Sequence, residues 1–117
     1  DNPNQKNLNI ECIDIDAYHL LNHLSTRSKI IDLIVLAPPW GGIDYSIQYF
    51  DLTTMITSGN GIELVQLASK VSNKIIFIIP KNTILKQLYE ISTLINLPVR
   101  IQKVSIHDKV KMLVVYY

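Results

Sequence analysis

The sequence predicts an α/β domain whose sheet is parallel in its middle and ends in an antiparallel hairpin. Three features carry that reading. Two β-branched runs, KIIDLIVL at residues 29–36 and KIIFII at residues 74–79, have the near-continuous hydrophobicity of strands buried on both faces. Segments with apolar residues at helical spacing lie before, between and after them. Residues 99–117 hold two alternating stretches around a polar turn, the pattern of a terminal hairpin. Strand, helix, strand, helix, strand, helix, strand, strand is the order that builds a largely parallel sheet closed by an antiparallel edge.

Each element has its own local reason. Residues 1–7 are polar, contain Pro3 and read as a frayed lead-in, so residues 8–117 form the domain. Residues 8–16 (LNIECIDID) alternate apolar and polar and read as a strand ending in acidic residues, with Cys12 as a core side chain. Residues 17–24 (AYHLLNHL) place Ala17, Leu20, Leu21 and Leu24 on one helix face, and the polar stretch 25–29 ends it. The strand at 29–36 is interrupted only by Asp32 and stops before Pro38-Pro39. Residues 44–50 read as a polar and aromatic loop and 51–56 as a short helix. Gly59-Asn60-Gly61 then opens a helix over 61–72, with Ile62, Leu64, Val65, Ala68 and Val71 on its buried side and Asn73 at its end. The strand at 74–79 is halted by Pro80. Asn82 or Thr83 caps a helix over 84–94 that buries Leu85, Leu88, Ile91 and Ile95. Strands at 99–106 and 110–117 are joined by His107-Asp108-Lys109.

With 117 residues the chain is one small domain, large enough to bury roughly two-thirds of its unfolded surface. A hydrophobic fraction of 48% with only 18% charged residues excludes a disordered or low-complexity chain. A net charge of +1 excludes binding driven by an overall basic field, so a polyanion must be met by a local patch. The single cysteine excludes an internal disulfide framework and points to a reducing compartment, and with three scattered histidines it shows no metal-ligand spacing. No apolar run approaches the ~18 residues of a membrane span. The chain begins at Asp1 without a methionine and is expected to be part of a longer polypeptide.

The stretch with chemical content is Ala37-Pro38-Pro39-Trp40-Gly41-Gly42, just past the end of a parallel strand, where open α/β sheets hold their ligands. Two prolines fix two φ angles and remove two amide donors, leaving a stiff strip that presents carbonyl oxygens. Trp40 follows, and the two glycines leave nothing bulky beside the indole. Acceptors next to an aromatic plate suit a flat heterocycle with an exocyclic amine. The same residues also read as a strand-ending proline turn with Trp40 in the core.

This stretch resembles the motif of amine-directed methyltransferases that use S-adenosylmethionine. The longer string APPWGGIDY, with FDLTTM downstream, IIPKN at residues 78–82 and the closing KVKMLVVYY, is similar to the trimethylguanosine synthases, RNA cap guanosine-N2 methyltransferases, in the same order over residues 10–117. The resemblance implies the C-terminal portion of a Rossmann-like class I methyltransferase acting on 7-methylguanosine-capped RNA, with a nuclear or nucleocytoplasmic location. It matches Trp40 to the tryptophan that stacks on 7-methylguanine, and Ala37 and Pro38 to the positions that orient the guanine N2 amine. It matches Tyr45, Lys81 and Lys111 to residues that hold the cap phosphates, and Asp16 to the acidic residue that contacts the cofactor's adenine. Two alternatives stay open: a methyltransferase for another exocyclic amine of RNA or DNA, and a non-catalytic cap-binding module.

The chain departs from that pattern at several points. Ala37 stands where the family has Ser, Lys81 where it has Arg, which replaces a bidentate fork by a point charge, and Ile43 where it has Pro. The glycine-rich turn after a first strand is not found, and the resemblance implies that the family's first two strands, with most of the cofactor site, precede Asp1. Those strands would separate the 8–16 strand from the 29–36 strand. The isolated chain is therefore expected to show an exposed edge at 29–36, a displaced 8–16 segment and an edge open to a homodimer, and to be inactive with weak cofactor binding. Asp14 with Asp16 are weaker candidates as metal ligands than as an acidic strand end facing an adenine, and His19 with His23 weaker as a zinc half-site than as a surface or half-buried pair. Arg100, Lys103, Lys109 and Lys111 form a basic stripe that either tracks RNA phosphates or blunts an edge strand.

Overall fold

The structure is a computed structural model and describes residues 9–27, 29–39, 49–54 and 59–117. Its strands are β1 (Ile34–Leu36), β2 (Ile75–Pro80), β3 (Arg100–Ile106) and β4 (Lys109–Tyr116), in the spatial order β1-β2-β4-β3. β1 and β2 are parallel, with Leu36 opposite Phe77, and β4 runs antiparallel to both β2 and β3. This is the mixed α/β sheet read from the sequence, parallel first and antiparallel at its end.

Three helices accompany it: α1 (Ala17–Leu24), α2 (Gly61–Ser69) and α3 (Leu85–Ile95). Because strand side chains alternate between faces, the register puts Leu36, Ile75, Phe77, Ile79, Leu113 and Val115 on one side of the sheet. These side chains are buried together with Leu64, Val65 and Ala68 of α2 and Leu88 and Ile91 of α3. Each such side chain removed from water contributes about 1.5–3 kcal/mol, so this face carries the cohesion of the domain. On the other face Val35 is exposed and Ile76, Ile78 and Val114 are half-buried.

The helix starts show how local chemistry sets the boundaries. Asn60 caps α2, its Oδ1 accepting the Ile62 amide at 2.9 Å. Tyr18 donates its hydroxyl to the Asn60 carbonyl at 2.8 Å and so pins α1 to the start of α2. Gly59 has φ +145°, and a Cβ there would lie 2.7 Å from the Tyr18 ring, so this turn requires glycine. In α3, by contrast, the N-cap is Ile84, which supplies no side-chain hydrogen bond. The cap expected from Asn82 or Thr83 fails because Thr83 is buried and turns its hydroxyl back to the Pro80 carbonyl at 2.7 Å.

Other expectations are corrected. Residues 9–16 form no strand, and Ile10, Cys12, Ile13 and Ile15 are exposed, Ile10 at 79%. The strand expected over 29–36 shrinks to three residues and is not buried on both faces, Leu33 and Val35 being exposed, but it stands at the sheet's edge with 9–16 unpaired to it, as expected for the isolated chain. One neighbour, β2, supports it on one side only. Residues 51–54 make a turn, the Thr54 amide donating to the Asp51 carbonyl, and residues 55–56 of the expected helix lie outside the described residues. Leu85 points to solvent and is 47% exposed. The hairpin turn is the two residues His107 and Asp108, both at positive φ, as tight hairpins of matching twist require. The expected lead-in at 1–7 lies outside the described residues.

Candidate functional site

Parallel strands send their following loops to the same end of a sheet, and that end holds the ligands of open α/β folds. Here Ala37-Pro38-Pro39 follows β1 and Lys81 follows β2 at the same end of the sheet, β2 running three residues further, since Leu36 is level with Phe77 and β2 ends at Pro80. Ala37 and Pro39 are exposed and Pro38 is half-buried. The two prolines have no amide hydrogen, so the strip offers carbonyl acceptors from a rigid backbone.

A cavity of about 270 Å³ lies between this strip and the helices, walled by Ala17, Tyr18, Leu36, Ala37, Pro38 and Leu64. Asp16 sits at the start of α1 and caps it, its Oδ1 accepting the His19 amide at 3.1 Å. Desolvation, with the nearby charges of Glu63 and then Asp16, raises the Tyr18 pKa, so its phenol stays protonated and serves as a wall.

A second cleft, of about 430 Å³, opens beyond the end of β2 between Tyr49, Lys81, Ile84, Leu85, Lys103 and Leu113. Its position follows from two ties. Phe50 is fully buried and bridges Thr83: its amide donates to the Asn82 carbonyl at 2.9 Å, and the Ile84 amide donates to the Phe50 carbonyl at 3.1 Å. Gln87 of α3 makes the second tie. Its Oε1 accepts the Leu52 amide at 2.9 Å while its Nε2 donates to Asp51 Oδ1 at 2.7 Å. The same carboxylate oxygen accepts the Thr53 hydroxyl and amide. These bonds favour the ionised form, the Thr53 hydroxyl most and Gln87 next, and hold the Asp51 pKa below its ordinary value. Tyr49 is thereby fixed beside the β2–α3 turn.

Lys111 reaches the same end of the sheet by a different device. Pro80 pairs with Met112, so the positions following Pro80 and preceding Met112 lie just past the same pair. The β3–β4 register passes from Val104 opposite Met112 to Ser105 opposite Val110, which leaves Lys111 as the extra residue of a β-bulge. The structure thus brings exposed Lys81 and Lys111 together past the end of β2.

Trp40 and Tyr45 lie outside the described residues. The basic stripe is not continuous: Arg100 pairs with Tyr116 and lies 5.8 Å over its ring, whereas Lys103 pairs with Leu113 on the opposite face. His19 and His23 are exposed, and among the described residues no group of three or more His, Cys, Asp or Glu side chains could hold a metal ion. No helix among them is long and apolar enough to cross a membrane. Sequence reasoning missed Tyr49 and Gln87, which it did not single out, and read Lys103 only as part of the stripe. The one available signal was parity, since Lys103 falls two residues from Ile101 on the inward register of β3.

The rigid acceptor strip after one parallel strand and the lysines past the next are both within residues 4–117, which match the family model for RNA cap guanine-N2 methyltransferase. That match takes in nearly the whole sequence, and the chain belongs to the RNA cap guanine-N2 methyltransferase family.

Proposed function

We propose that this chain seats the 7-methylguanosine cap of an RNA and presents its N2 amine for methylation from S-adenosylmethionine. The observation that carries the reading is the presence, at one sheet end, of the Ala37-Pro38-Pro39 strip, whose two prolines lack amide donors, and of Lys81 and Lys111. An exocyclic amine has hydrogens to donate, and the two prolines of the strip offer carbonyl acceptors without a donor of their own. A cap has several phosphates, and two lysines without a carboxylate partner among the described residues supply the local charge that the net charge of +1 does not. Trp40, the residue after Pro39, would form the plate under the purine, and Tyr45 would join the lysines at the phosphates.

The apolar walls of the smaller cavity suit the adenine end of S-adenosylmethionine, and Asp16, next in sequence to the lining residue Ala17, is proposed to hold its amine. When bound, that cofactor supplies an already activated sulfonium methyl group. The work left to the protein is orientation. The N2 lone pair is delocalised into the purine, and the Ala37 and Pro38 carbonyls aim it by holding the amine hydrogens. Such positioning supplies up to about 7–11 kcal/mol of a barrier when the geometry is right. No strong base is needed, because the amine is acidified by methylation and its proton passes to water. Ala37 contributes its backbone alone, so the prolines carry the rigidity.

The test is transfer of a labelled methyl group, by the intact protein with a complete cofactor site, from S-adenosylmethionine to RNA capped with 7-methylguanosine or with unmethylated guanosine, followed by digestion to nucleosides. Label in the N2 position of the 7-methylated cap supports the proposal. Label in internal bases, or none while the cap is still bound, contradicts it.

A further inference from the structure

We propose that the cleft between Tyr49, Lys81 and Lys103 seats the first nucleotide that follows the cap, with its base on Tyr49 and its phosphate on Lys103. The inference rests on the cap reading above, because it takes Lys81 as the point from which the RNA chain leaves the cap phosphates. The cleft of about 430 Å³ starts at that lysine and has a buried apolar floor at Leu113. Tyr49 is 61% exposed although the next residue, Phe50, is fully buried and hydrogen-bonded on both sides. A largely exposed tyrosine is therefore carried on an anchored backbone at the cleft, and an aromatic side chain there suits stacking of a base of any identity.

Lys103 is a cation in a place where the strand pattern calls for a hydrophobe. It faces Leu113 across the β3–β4 ladder, two residues from half-buried Ile101. It stands on the apolar side of the sheet and lines the cleft, where a lysine can lay its aliphatic stem on apolar surface and keep its ammonium in water. Among the described residues neither Lys81 nor Lys103 has a carboxylate within ion-pair distance, and none that lines the cleft is a carboxylate. Two cations with no carboxylate partner among the described residues, a largely exposed tyrosine and an apolar floor fit one nucleotide of single-stranded RNA.

The experiment measures the affinity of the full chain for 7-methyl-GTP and for a 7-methylguanosine-capped trinucleotide RNA, at several salt concentrations, with wild type, Tyr49→Ala, Tyr49→Phe and Lys103→Gln. The wild type is expected to bind the capped RNA about tenfold tighter than 7-methyl-GTP, the scale of one stacked base with its phosphate. Tyr49→Ala and Lys103→Gln abolish that gain and leave 7-methyl-GTP binding unchanged, while Tyr49→Phe keeps it. Lys103→Gln also lowers the slope of log affinity against log salt for the capped RNA by about 0.7, the signature of one lost single-strand phosphate contact. Equal affinity of the wild type for both ligands, or variants that weaken both equally, overturns the subsite. Failure of the wild type to bind either ligand overturns the cap reading itself, and the subsite with it.

Discussion

Replacing Gln87 by Leu tests whether the segment before the larger cleft is held by the tie described above. The side chain keeps a similar volume and the helix propensity is nearly unchanged, so α3 itself should not suffer. What is lost is specific. The Leu52 amide, 2.9 Å from Gln87 Oε1 and beside a fully buried side chain, loses its acceptor. Leaving such a donor unsatisfied costs about 1–3 kcal/mol. The bond from Nε2 to Asp51 is lost too, but that carboxylate keeps Thr53 and reaches water, so its share is the smaller one. A loss of about 2 kcal/mol is expected, and in urea, where m is about 1–3 kcal/mol/M for a small domain, the midpoint should fall by about 1 M. Gln87→Glu separates the two bonds, because it keeps an acceptor for Leu52 but sets a carboxylate against Asp51, and its stability should recover as the pH falls. A change in Gln87→Leu below about 0.5 kcal/mol, the range of an ordinary surface substitution, would refute the tie.

Two further outcomes follow from the same structure. Gly59→Ala forces a residue with a Cβ to φ +145° against the Tyr18 ring, and should cost about 2 kcal/mol by thermal melting; Tyr18→Phe, which removes only the hydroxyl bond to Asn60, should cost less, and the reverse order would show that the turn is not constrained. Asp51 has a folded pKa below its unfolded value of about 3.9, so the stability it contributes is complete above that value and is lost as pH falls through the folded pKa. Asp51→Asn should therefore flatten the acid limb of a plot of melting temperature against pH, and an unchanged limb would exclude Asp51 as its source.

The parts of the fold that were legible are those in which local pattern and tertiary burial agree. β2 and the buried stripes of α2 and α3 show this, since Phe77, Leu64, Val65, Leu88 and Ile91 are inward in both pattern and packing. Residues 9–16 show the limit. Their alternation is real, but alternation specifies a strand only when a neighbouring strand completes its hydrogen bonds, and none pairs there. The same lack of a second neighbour shortens β1 and exposes Val35. Thr83 was misplaced as a cap because Thr hydroxyls compete for nearby carbonyls, and here Pro80 wins. At the candidate site, Ala37-Pro38-Pro39 was readable because proline restricts the backbone by itself. The meeting of Lys81 with Lys111 became visible only through the β2–β4 register and the bulge, neither of which is local in sequence. Gln87 left no trace in the pattern because a half-buried polar residue on a helix looks like any surface position until its partners, Asp51 and Leu52, are located.

The most direct test of a seat for a cationic purine uses the chain's single tryptophan, Trp40, as its own reporter. Titrating the full chain with 7-methyl-GTP should quench its fluorescence. GTP should require a concentration about tenfold higher, since the positive charge on the methylated ring adds about 1–2 kcal/mol of cation–π attraction. Quenching by both nucleotides at the same concentration, or by neither, would contradict the assignment of Trp40 and the neighbouring proline carbonyls as the place where the cap sits.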